Sequence, residues 1–318
     1  DLPVFERQEL TQAIYDLLSA TQTEIFEADL ELDFSHDVPG VARFRVNVHQ
    51  QRGSVEAAFR LIPAEVPSAD QLKLPSVVCQ LARRPNGLVL VTGPTGMGKT
   101  TTLAAMVDVI NHERECLVLT VEDPIEFVFT NAKSVIKQRE IHTDTRSFAQ
   151  ALKHALRQDP NVIVVGEMRD LETIATALTA AETGHLVLAT LHTPDAAQTV
   201  GRIIDVFPSH QQQQVRLQLS ECLQGIVSQL LLPRASGPGR VLATEILVAT
   251  PAIRNMIRER QTEQIATALQ TGAKLGMRTM DRCLQELLRD GHITRDTALS
   301  KAKSPEDFPG QGTGIRGG

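Results

Sequence analysis

The 318-residue sequence has no tryptophan, a single tyrosine and only 3% aromatic residues. Proteins that bind single-stranded nucleic acid usually combine aromatic stacking platforms with a basic groove. This chain instead has a formal net charge of -6 and a pI near 5.9. We therefore expect no nucleic-acid partner, although a hexameric DNA motor stays open as an alternative.

Cysteine and long apolar runs are also scarce. The four cysteines are scattered through the chain without a C-x-x-C pair, so we expect reduced core thiols rather than a disulfide or a zinc site. No apolar run approaches the ~20 residues of a membrane-spanning helix, and no signal segment opens the chain. These absences predict a cytoplasmic protein. Because the chain begins with Asp close to a helical pattern, we also expect the N-terminal domain to be truncated at its start.

Two kinds of hydrophobic pattern divide the chain. Residues 1–63 combine two short helical patterns with three alternating, strand-like segments, which predicts a small α/β domain. Residues 64–75 contain several prolines and lack a clear period, so we interpret them as a linker. Wholly apolar runs then predict a mostly parallel sheet covered by helices. These runs are 87–93, 116–123, 161–167, 185–192 and 241–248.

This pattern predicts an α/β domain over residues 76–248. A helical region is expected over 249–303 and a disordered, glycine-rich tail over 304–318. Residues 209–231 are also predicted to be helical.

The segment "GPTGMGKT" fits the P-loop pattern G-x-x-x-x-G-K-[ST] and lies between a predicted strand and a predicted helix. Its glycines allow backbone N–H groups to face phosphate oxygens, Lys99 can reach the β- and γ-phosphates, and Thr100 can bind Mg²⁺. A glycine-rich turn with an accidental lysine is the less favoured alternative. The predicted nucleotide-binding residues are Gly93, Pro94, Thr95, Gly96, Met97, Gly98, Lys99, Thr100 and Thr101.

Carboxylates follow two other predicted strands, where hydrolysis needs a metal ligand and a base. Glu167 ends "NVIVVGE", with Gly166 at the position usually occupied by aspartate. Glu122 and Asp123 end "LVLTVED", with Glu126 shortly after. We predict Thr100, Glu122, Asp123 and Glu167 as metal ligands. Which of Glu122 and Glu167 is the base stays open, as does the alternative that these are solvated carboxylates at strand ends.

A histidine and three arginines complete the candidate catalytic group. His192 ends another predicted strand and can hydrogen-bond a γ-phosphate. Arg45, Arg52 and Arg60 lie in the small domain and can deliver charge to a phosphate as arginine fingers, with Arg43 a weaker candidate. The alternative for these side chains is a structural or salt-bridged role.

The segments "RFRVNVHQQRG", "VTGPTGMGKTTTLAAM", "LTVEDPIEFV" and "VIVVGEMRDLETIATALTAAETGHLVLATLHT" resemble the secretion-type hexameric ATPases. They correspond in order to the family's small-domain arginines, Walker A, Asp box, and Walker B with His box. The resemblance covers residues 29–308 and is most specific to the retraction ATPases of type IV pili. Met97 departs from the serine usual at its position, and we expect this to be tolerated because the loop contributes its backbone N–H.

This resemblance implies a PAS-like α/β N-terminal domain, a RecA-like P-loop ATPase domain and C-terminal helices. It implies ATP and Mg²⁺ as ligands, Glu167 as Walker B acid, Glu122 as Asp-box acid and His192 as sensor. It also implies a homohexamer in which a neighbour's small domain covers each nucleotide, with Arg45 and Arg60 the better finger candidates and Arg52 less certain.

The stretch after Thr250 is similar to the AIRNLIRE motif of retraction ATPases, while the tetracysteine zinc motif of extension and type II secretion ATPases is missing. An inner-membrane pilus platform protein is then the implied partner, with a paralogous accessory retraction ATPase as a possible second one. The implied location is the cytoplasmic face of the inner membrane, through partners. A pilus-extension or type II secretion ATPase and a nucleotide-gated scaffold remain alternatives. The motif residues are Ala252, Ile253, Arg254, Asn255, Met256, Ile257, Arg258 and Glu259.

Helical spacing in this motif assigns two faces. Ile253, Met256 and Ile257 should dock the helix on its own domain. Arg254 and Arg258 are four residues apart and should share an exposed side that couples ring motion to retraction.

Overall fold

A computed structural model describes residues 4–63 and 65–308. The first of these ranges folds as two helices beside a three-stranded antiparallel sheet of order β1-β2-β3. A capping box at Ser19 starts the second helix, and Phe26, Phe34, Val46 and Val48 form the buried core. The small α/β domain predicted from the sequence is confirmed. Its elements are α1 (Arg7–Tyr15), α2 (Ala20–Asp29), β1 (Glu31–Val38), β2 (Ala42–Gln51) and β3 (Ser54–Ile62).

A seven-stranded sheet forms the centre of the second range. Its strand order is β10-β9-β4-β8-β7-β5-β6, and all neighbouring pairs are parallel except β9 and β10. Helices cover both faces, so the central strands are wholly buried, as continuous apolar runs require. The first elements are α3 (Ser76–Ala82), β4 (Gly87–Thr92), α4 (Lys99–Glu113), β5 (Leu117–Glu122), β6 (Val135–Glu140), α5 (Phe148–Ala155) and β7 (Val162–Val165). Then follow α6 (Leu171–Glu182), β8 (Leu186–Leu191), α7 (Ala196–Asp205), α8 (Gln212–Cys222), β9 (Leu223–Pro233) and β10 (Arg240–Val248).

One element differs from the helix predicted over 209–231. The helix ends at Cys222, and the chain continues directly as β9, which pairs with β4 and β10. Gly225 explains the close packing there, since a Cβ at this position would lie 2.8 Å from the Leu81 side chain of α3. The apolar residues of this segment fit the period of a helix as well as that of a strand. Pairing with β4 and β10 makes the segment a strand.

The C-terminal region is helical as predicted from 249 onward, with α9 (Pro251–Arg258), α10 (Ile265–Thr271), α11 (Met280–Arg289) and α12 (Arg295–Leu299). The predicted tail 304–318 is wrong at its start. Residues Pro305–Asp307 form a 3₁₀ turn, and Phe308 is buried against α11 and β9. Residues 309–318, like residues 1–3 and linker residue Ala64, lie outside the described residues. No helix within 4–63 and 65–308 has the length and hydropathy to cross a membrane.

Candidate nucleotide-binding site

The predicted P-loop joins the end of β4 to the start of α4. Gly93, Gly96 and Gly98 have φ angles of 140, 78 and 79°, a region open to glycine at little cost. Lys99 is 8% exposed, and its Nζ donates to the carbonyls of Gly93 (2.8 Å) and Pro94 (3.0 Å). Burial lowers the pKa of Lys99, while the carboxylates of Glu167 and Glu126 act in the opposite direction. The loop therefore holds one cation at its centre and the first N–H groups of a 15-residue helix beside it.

Strand β9 supports the P-loop from below. A Cβ on Gly93 would lie 2.4 Å from the Gln229 carbonyl oxygen, so only glycine fits this approach. The Gln229 amide donates to the Met97 carbonyl (2.6 Å) and accepts from the Thr102 hydroxyl (2.9 Å). The Met97 sulfur also accepts the Leu231 N–H at 3.2 Å. The Met97 side chain thus ties the P-loop to β9. Gln229, which also holds the P-loop, is a residue that the sequence analysis missed.

A cleft of about 830 Å³ opens beside the P-loop. Gly98, Thr101 and Arg240 line its P-loop side, and Arg240 donates to the Gly96 carbonyl at 3.2 Å. Residues 71–75 of the predicted linker, the hairpin of β9 and β10, and the end of α11 form the other walls. A cleft of this size next to a phosphate-binding loop suits the nucleoside part of a nucleotide.

Four side chains from three loops form a connected polar chain over the P-loop. His192 contacts the Thr95 hydroxyl through Nδ1 (3.2 Å) and Glu167 Oε1 through Nε2 (3.0 Å). Arg169 binds the same carboxylate in a bidentate manner, at 2.5 and 2.7 Å. Burial acts to raise the pKa of Glu167, but Arg169 and His192 outweigh it and hold that pKa below its usual range. The structure therefore brings together His192, Glu167 and the P-loop, as the strand-end positions predicted.

Glu122 occupies a different environment from Glu167. It is 8% exposed, and it accepts hydrogen bonds from the Thr120 hydroxyl (2.6 Å) and the Gln138 amide (3.0 Å). Burial raises its pKa. Glu122 and Thr100 line the same small cavity, whose other walls are mainly apolar.

The donor set suits Mg²⁺ held mainly by phosphate and water. Asp123 is exposed and lies close enough to Arg169 to raise its pKa. Within residues 4–63 and 65–308, no group of three or more His, Cys, Asp and Glu side chains forms a cage for a metal ion. Magnesium in nucleotide sites needs only one or two protein ligands besides phosphate oxygens, so Thr100 with Glu122 fits this chemistry.

The small domain presents its arginines to the Asp-box loop of the same chain. Arg45 and Arg60 lie directly opposite each other on β2 and β3, and two like charges at such a position repel unless an anion lies between them. Arg45 Nη1 is 3.7 Å from Glu126 Oε1. Arg52 lies in the β2–β3 turn with φ 50°, about 23 Å along the strand from Arg45 at ~3.3 Å per residue. The structure therefore groups Arg45 with Arg60 and separates Arg52 from them.

A buried carboxylate joins the two domains at this point. Glu140, 5% exposed at the end of β6, accepts the Ile125 N–H (3.0 Å) and binds Arg43 (3.1 Å). The Ser35 hydroxyl lies 2.9 Å from both of its oxygens. Arg43 and Arg45 are two residues apart in β2 and share a face, and Arg43 is paired with Glu140. Glu140 was missed because the charged strand β6 gave no apolar signal.

The retraction-type motif forms α9, and Thr250 caps it by accepting the Ile253 N–H. Ile253 and Ile257 are fully buried and Met256 packs partly against them, as predicted. Arg254 is not exposed as expected. It donates to the carbonyls of Ala249 (3.1 Å), Ser220 (2.7 Å) and Glu221, at the end of α8.

The outer side of α9 is consequently formed by other residues. Arg258 remains exposed, together with Ala252, Asn255 and Glu259. The two arginines of the motif therefore differ in environment, although helical spacing had placed them on one side.

Comparison with known proteins agrees with this geometry. Residues 67–238 match the model of the type II/IV secretion system protein family. The chain belongs to this family. Among family members, the type IV pilus retraction ATPase PilT of Pseudomonas aeruginosa is 52% identical over 308 residues, covering 97% of this chain and 89% of that protein. A twitching motility protein of Neisseria gonorrhoeae is 52% identical over 308 residues, covering 97% of this chain and 82% of its own.

A solved structure gives the same result for the fold. The crystal structure of the pilus retraction motor PilT with bound ADP aligns with a TM-score of 0.87 at 50% identity, covering 93% of this chain and 84% of that one. The prediction of an α/β fold with an N-terminal domain and a RecA-like ATPase domain is confirmed. The family resemblance inferred from the motifs is confirmed as well.

Proposed function

We propose that this chain is an ATP-hydrolysing subunit of the motor that retracts type IV pili. The observation that carries the proposal is the connected group of P-loop, His192 and Glu167, in a chain 52% identical to a pilus retraction ATPase. The P-loop N–H groups and Lys99 bind the phosphates, which releases Lys99 from the carbonyls of Gly93 and Pro94. The adenosine occupies the cleft beside Thr101 and Arg240.

Glu167 is the better candidate for the base that orients and deprotonates the attacking water. Its carboxylate borders the P-loop through His192 and Thr95, whereas the Glu122 carboxylate is buried and accepts hydrogen bonds from Thr120 and Gln138. Arg169 must move off the Glu167 carboxylate for this role. His192, between Glu167 and the P-loop residue Thr95, is placed to respond to the γ-phosphate.

Mg²⁺, held by Thr100 and Glu122, would neutralise phosphate charge in the bound state. Asp123 is exposed at the mouth of this site and fits an outer position, through water.

Arg45 and Arg60 supply positive charge to the phosphates. Arg45 contacts Glu126 of its own chain, so this proposal places the finger at the phosphates of its own subunit. ATP competes with Glu126 for Arg45, so nucleotide binding draws the small domain onto the ATPase domain. Ser35 and Arg43 hold Glu140 throughout and form the pivot.

Six such subunits form a ring in this proposal, and cycles of closure and opening act on an inner-membrane platform protein at the cytoplasmic face. The exposed side of α9, with Asn255 and Arg258, is the surface that transmits the motion. Retraction is favoured over pilus extension or secretion by the match to the retraction motif and by the identity to PilT. A strain that lacks this motor should accumulate surface pili, whereas loss of an extension ATPase would leave few.

The enzymatic part is tested with Lys99→Ala and Glu167→Gln. We expect Lys99→Ala to lose ATP binding, and Glu167→Gln to bind ATP but lose at least ~100-fold in turnover, in the range known for a general base. Phosphate release and nucleotide-binding assays measure both, with Lys301→Ala as the exposed control. Normal turnover in both site variants would refute the site assignment. ATPase stimulated by DNA in a salt-sensitive manner would favour the DNA-motor alternative.

A further inference from the structure

Two buried carboxylates lie at the start of α7, and a lysine from the end of the chain lies across them. Lys303 Nζ is 3.0 Å from Asp195 Oδ2 and 3.4 Å from Glu245 Oε2. The side chains of Asp195 and Glu245 are only 9% and 3% exposed, while that of Lys303 is half exposed. A single ammonium group at the surface therefore bridges two buried acids.

The same two carboxylates fix the first turn of α7. Glu245 Oε1 accepts the Ala196 N–H at 2.9 Å, and Asp195 Oδ1 accepts the Gln198 N–H at 2.8 Å. These N–H groups have no partner inside the helix, so the acids satisfy them and complement the helix dipole. Strand β10, which carries Glu245, and helix α7 are thereby joined.

The first turn of α7 is directly connected to the sensor histidine. His192 directly follows β8, and only Thr193 and Pro194 separate it from the N-cap Asp195. The Thr193 hydroxyl also contacts the Thr199 hydroxyl inside α7, at 2.7 Å. A displacement of the helix start therefore moves the short segment that holds His192 against Glu167.

Lys303 is itself held in place by α11. Asp281, in the first turn of that helix, accepts the backbone N–H groups of Lys303 and Ser304, both at 2.8 Å. The Gln285 amide donates to the Asp307 carbonyl, and Phe308 is buried against the same helix. The segment 303–308, here called the C-terminal clasp, thus delivers the ammonium group to the start of α7.

We propose that Lys303 is a positioning residue for hydrolysis: through Asp195 and Glu245 the C-terminal clasp fixes the start of α7 and hence His192. This inference rests on the proposed ATPase function. Lys303 contacts neither the P-loop nor the cleft beside it, so its effect falls on turnover rather than on nucleotide binding. Release of the clasp slows hydrolysis, which makes the C-terminal region a control point for the phosphate site.

Electrostatics give this role a distinctive pH dependence. The charged groups that face Lys303 are Asp195 of α7, Glu245 of β10 and, through its backbone, Asp281 of α11. Burial acts to raise the pKa of Asp195, but Gln198 and the Lys303 ammonium outweigh it and lower that pKa. Without the ammonium, Asp195 loses a charge that lowers its pKa, so this buried acid takes up a proton more readily as the pH falls. The defect of a Lys303 variant should therefore be largest at high pH and shrink at low pH.

The test uses the full chain with Lys303→Met, Lys303→Arg and the exposed neighbour Lys301→Met as matched control. For Lys303→Met we expect kcat for ATP about tenfold lower at pH 8.5, in the range expected for loss of one hydrogen bond between charged groups. The deficit should fall to about twofold at pH 6, with KM changed less than twofold. Lys303→Arg should restore most of the activity, and a thermal melt should show that each variant is folded.

Three results would overturn the inference: a pH profile of Lys303→Met that parallels the wild type, an equal loss in Lys301→Met, or a loss confined to KM. An absence of ATP hydrolysis in the wild type would instead refute the proposed function. The two failures are therefore distinguishable in one series of assays.

Discussion

The two arginines of α9 allow a prediction with a built-in control, because Arg254 and Arg258 occupy the same helix but different environments. Arg254→Ala removes a guanidinium that donates to the Ala249, Ser220 and Glu221 carbonyls. Two of these carbonyls end α8 and have no intrahelical partner. Arg258 is exposed, so Arg258→Ala removes no comparable contact.

The magnitude follows from the hydrogen bonds that are lost. A hydrogen bond to a charged group contributes about 1.5–3 kcal/mol, and a cation at a helix C-terminus adds about 0.3–1 kcal/mol. Water reaches part of the Arg254 site and replaces some of these contacts, so we expect a total loss of about 2–3 kcal/mol. Arg258→Ala should remain within about 0.5 kcal/mol of the wild type. At about 2–4 °C per kcal/mol for a domain of this size, Arg254→Ala should melt roughly 4–12 °C lower.

Thermal melts of both variants measure the difference, and phosphate release with pilus retraction separates stability from function. Arg258→Ala should keep its melting temperature and ATP turnover but lose retraction. Arg254→Ala should lose stability first, with retraction and turnover falling together near its melting temperature. Equal melting temperatures for the two variants would refute the assignment of Arg254 to the end of α8. Normal retraction in a folded Arg258→Ala variant would refute the role of the outer side of α9.

Two further predictions concern buried carboxylates. Burial raises the pKa of Glu122, so above a pH of about 4.5 this carboxyl keeps its proton in the folded chain but loses it in the unfolded chain. The free energy of unfolding therefore falls as the pH rises through this range. Glu122→Gln should therefore melt at a higher temperature than the wild type at pH 8 but not at pH 4, and it should hydrolyse ATP more slowly. A difference in melting temperature that is the same at both pH values would contradict the raised pKa. Glu140→Ala leaves the Ile125 N–H without its acceptor and removes the carboxylate that Arg43 and Ser35 share, so we expect a loss of about 3–5 kcal/mol by urea unfolding and reduced turnover. The control is Glu113→Ala, which breaks only an exposed ion pair with Arg83 and should lower the free energy of unfolding by at most ~1 kcal/mol. An equal loss in both variants would contradict the role of Glu140 in joining the two domains.

Most of the site was predictable because its residues follow apolar strands. Glu122 ends β5, His192 directly follows β8, Glu167 lies two residues after β7, and Lys99 closes the loop after β4. Parallel strands bring such ends to one edge of the sheet. Gln229 and Glu140 lacked this signal. Gln229 lies in a segment whose apolar residues fit a helix as well as a strand, and Glu140 ends the charged edge strand β6.

Tertiary contacts account for what sequence periodicity alone did not show. Arg254 has the spacing of a solvent-facing residue, and only the position of the end of α8 makes it a capping group. The clasp residue Lys303 lies where composition predicted the approach to a disordered tail, and its partners are 58 and 108 residues away in the sequence. Such long-range pairs leave no local pattern.

The strand order places the phosphate site between two points of mechanical attachment. The small domain is joined to the outer edge of β6 through Glu140, and the clasp is joined to the opposite outer strand, β10, through Glu245. With strands about 4.8 Å apart, the six intervals between these edges span about 29 Å. The P-loop, His192, Glu167 and Glu122 follow β4, β8, β7 and β5, four consecutive strands within that span. A force carried across the sheet from one edge reaches the strands with the candidate catalytic groups before it reaches the other edge, so this strand order links mechanical load on the subunit to the proposed ATP turnover.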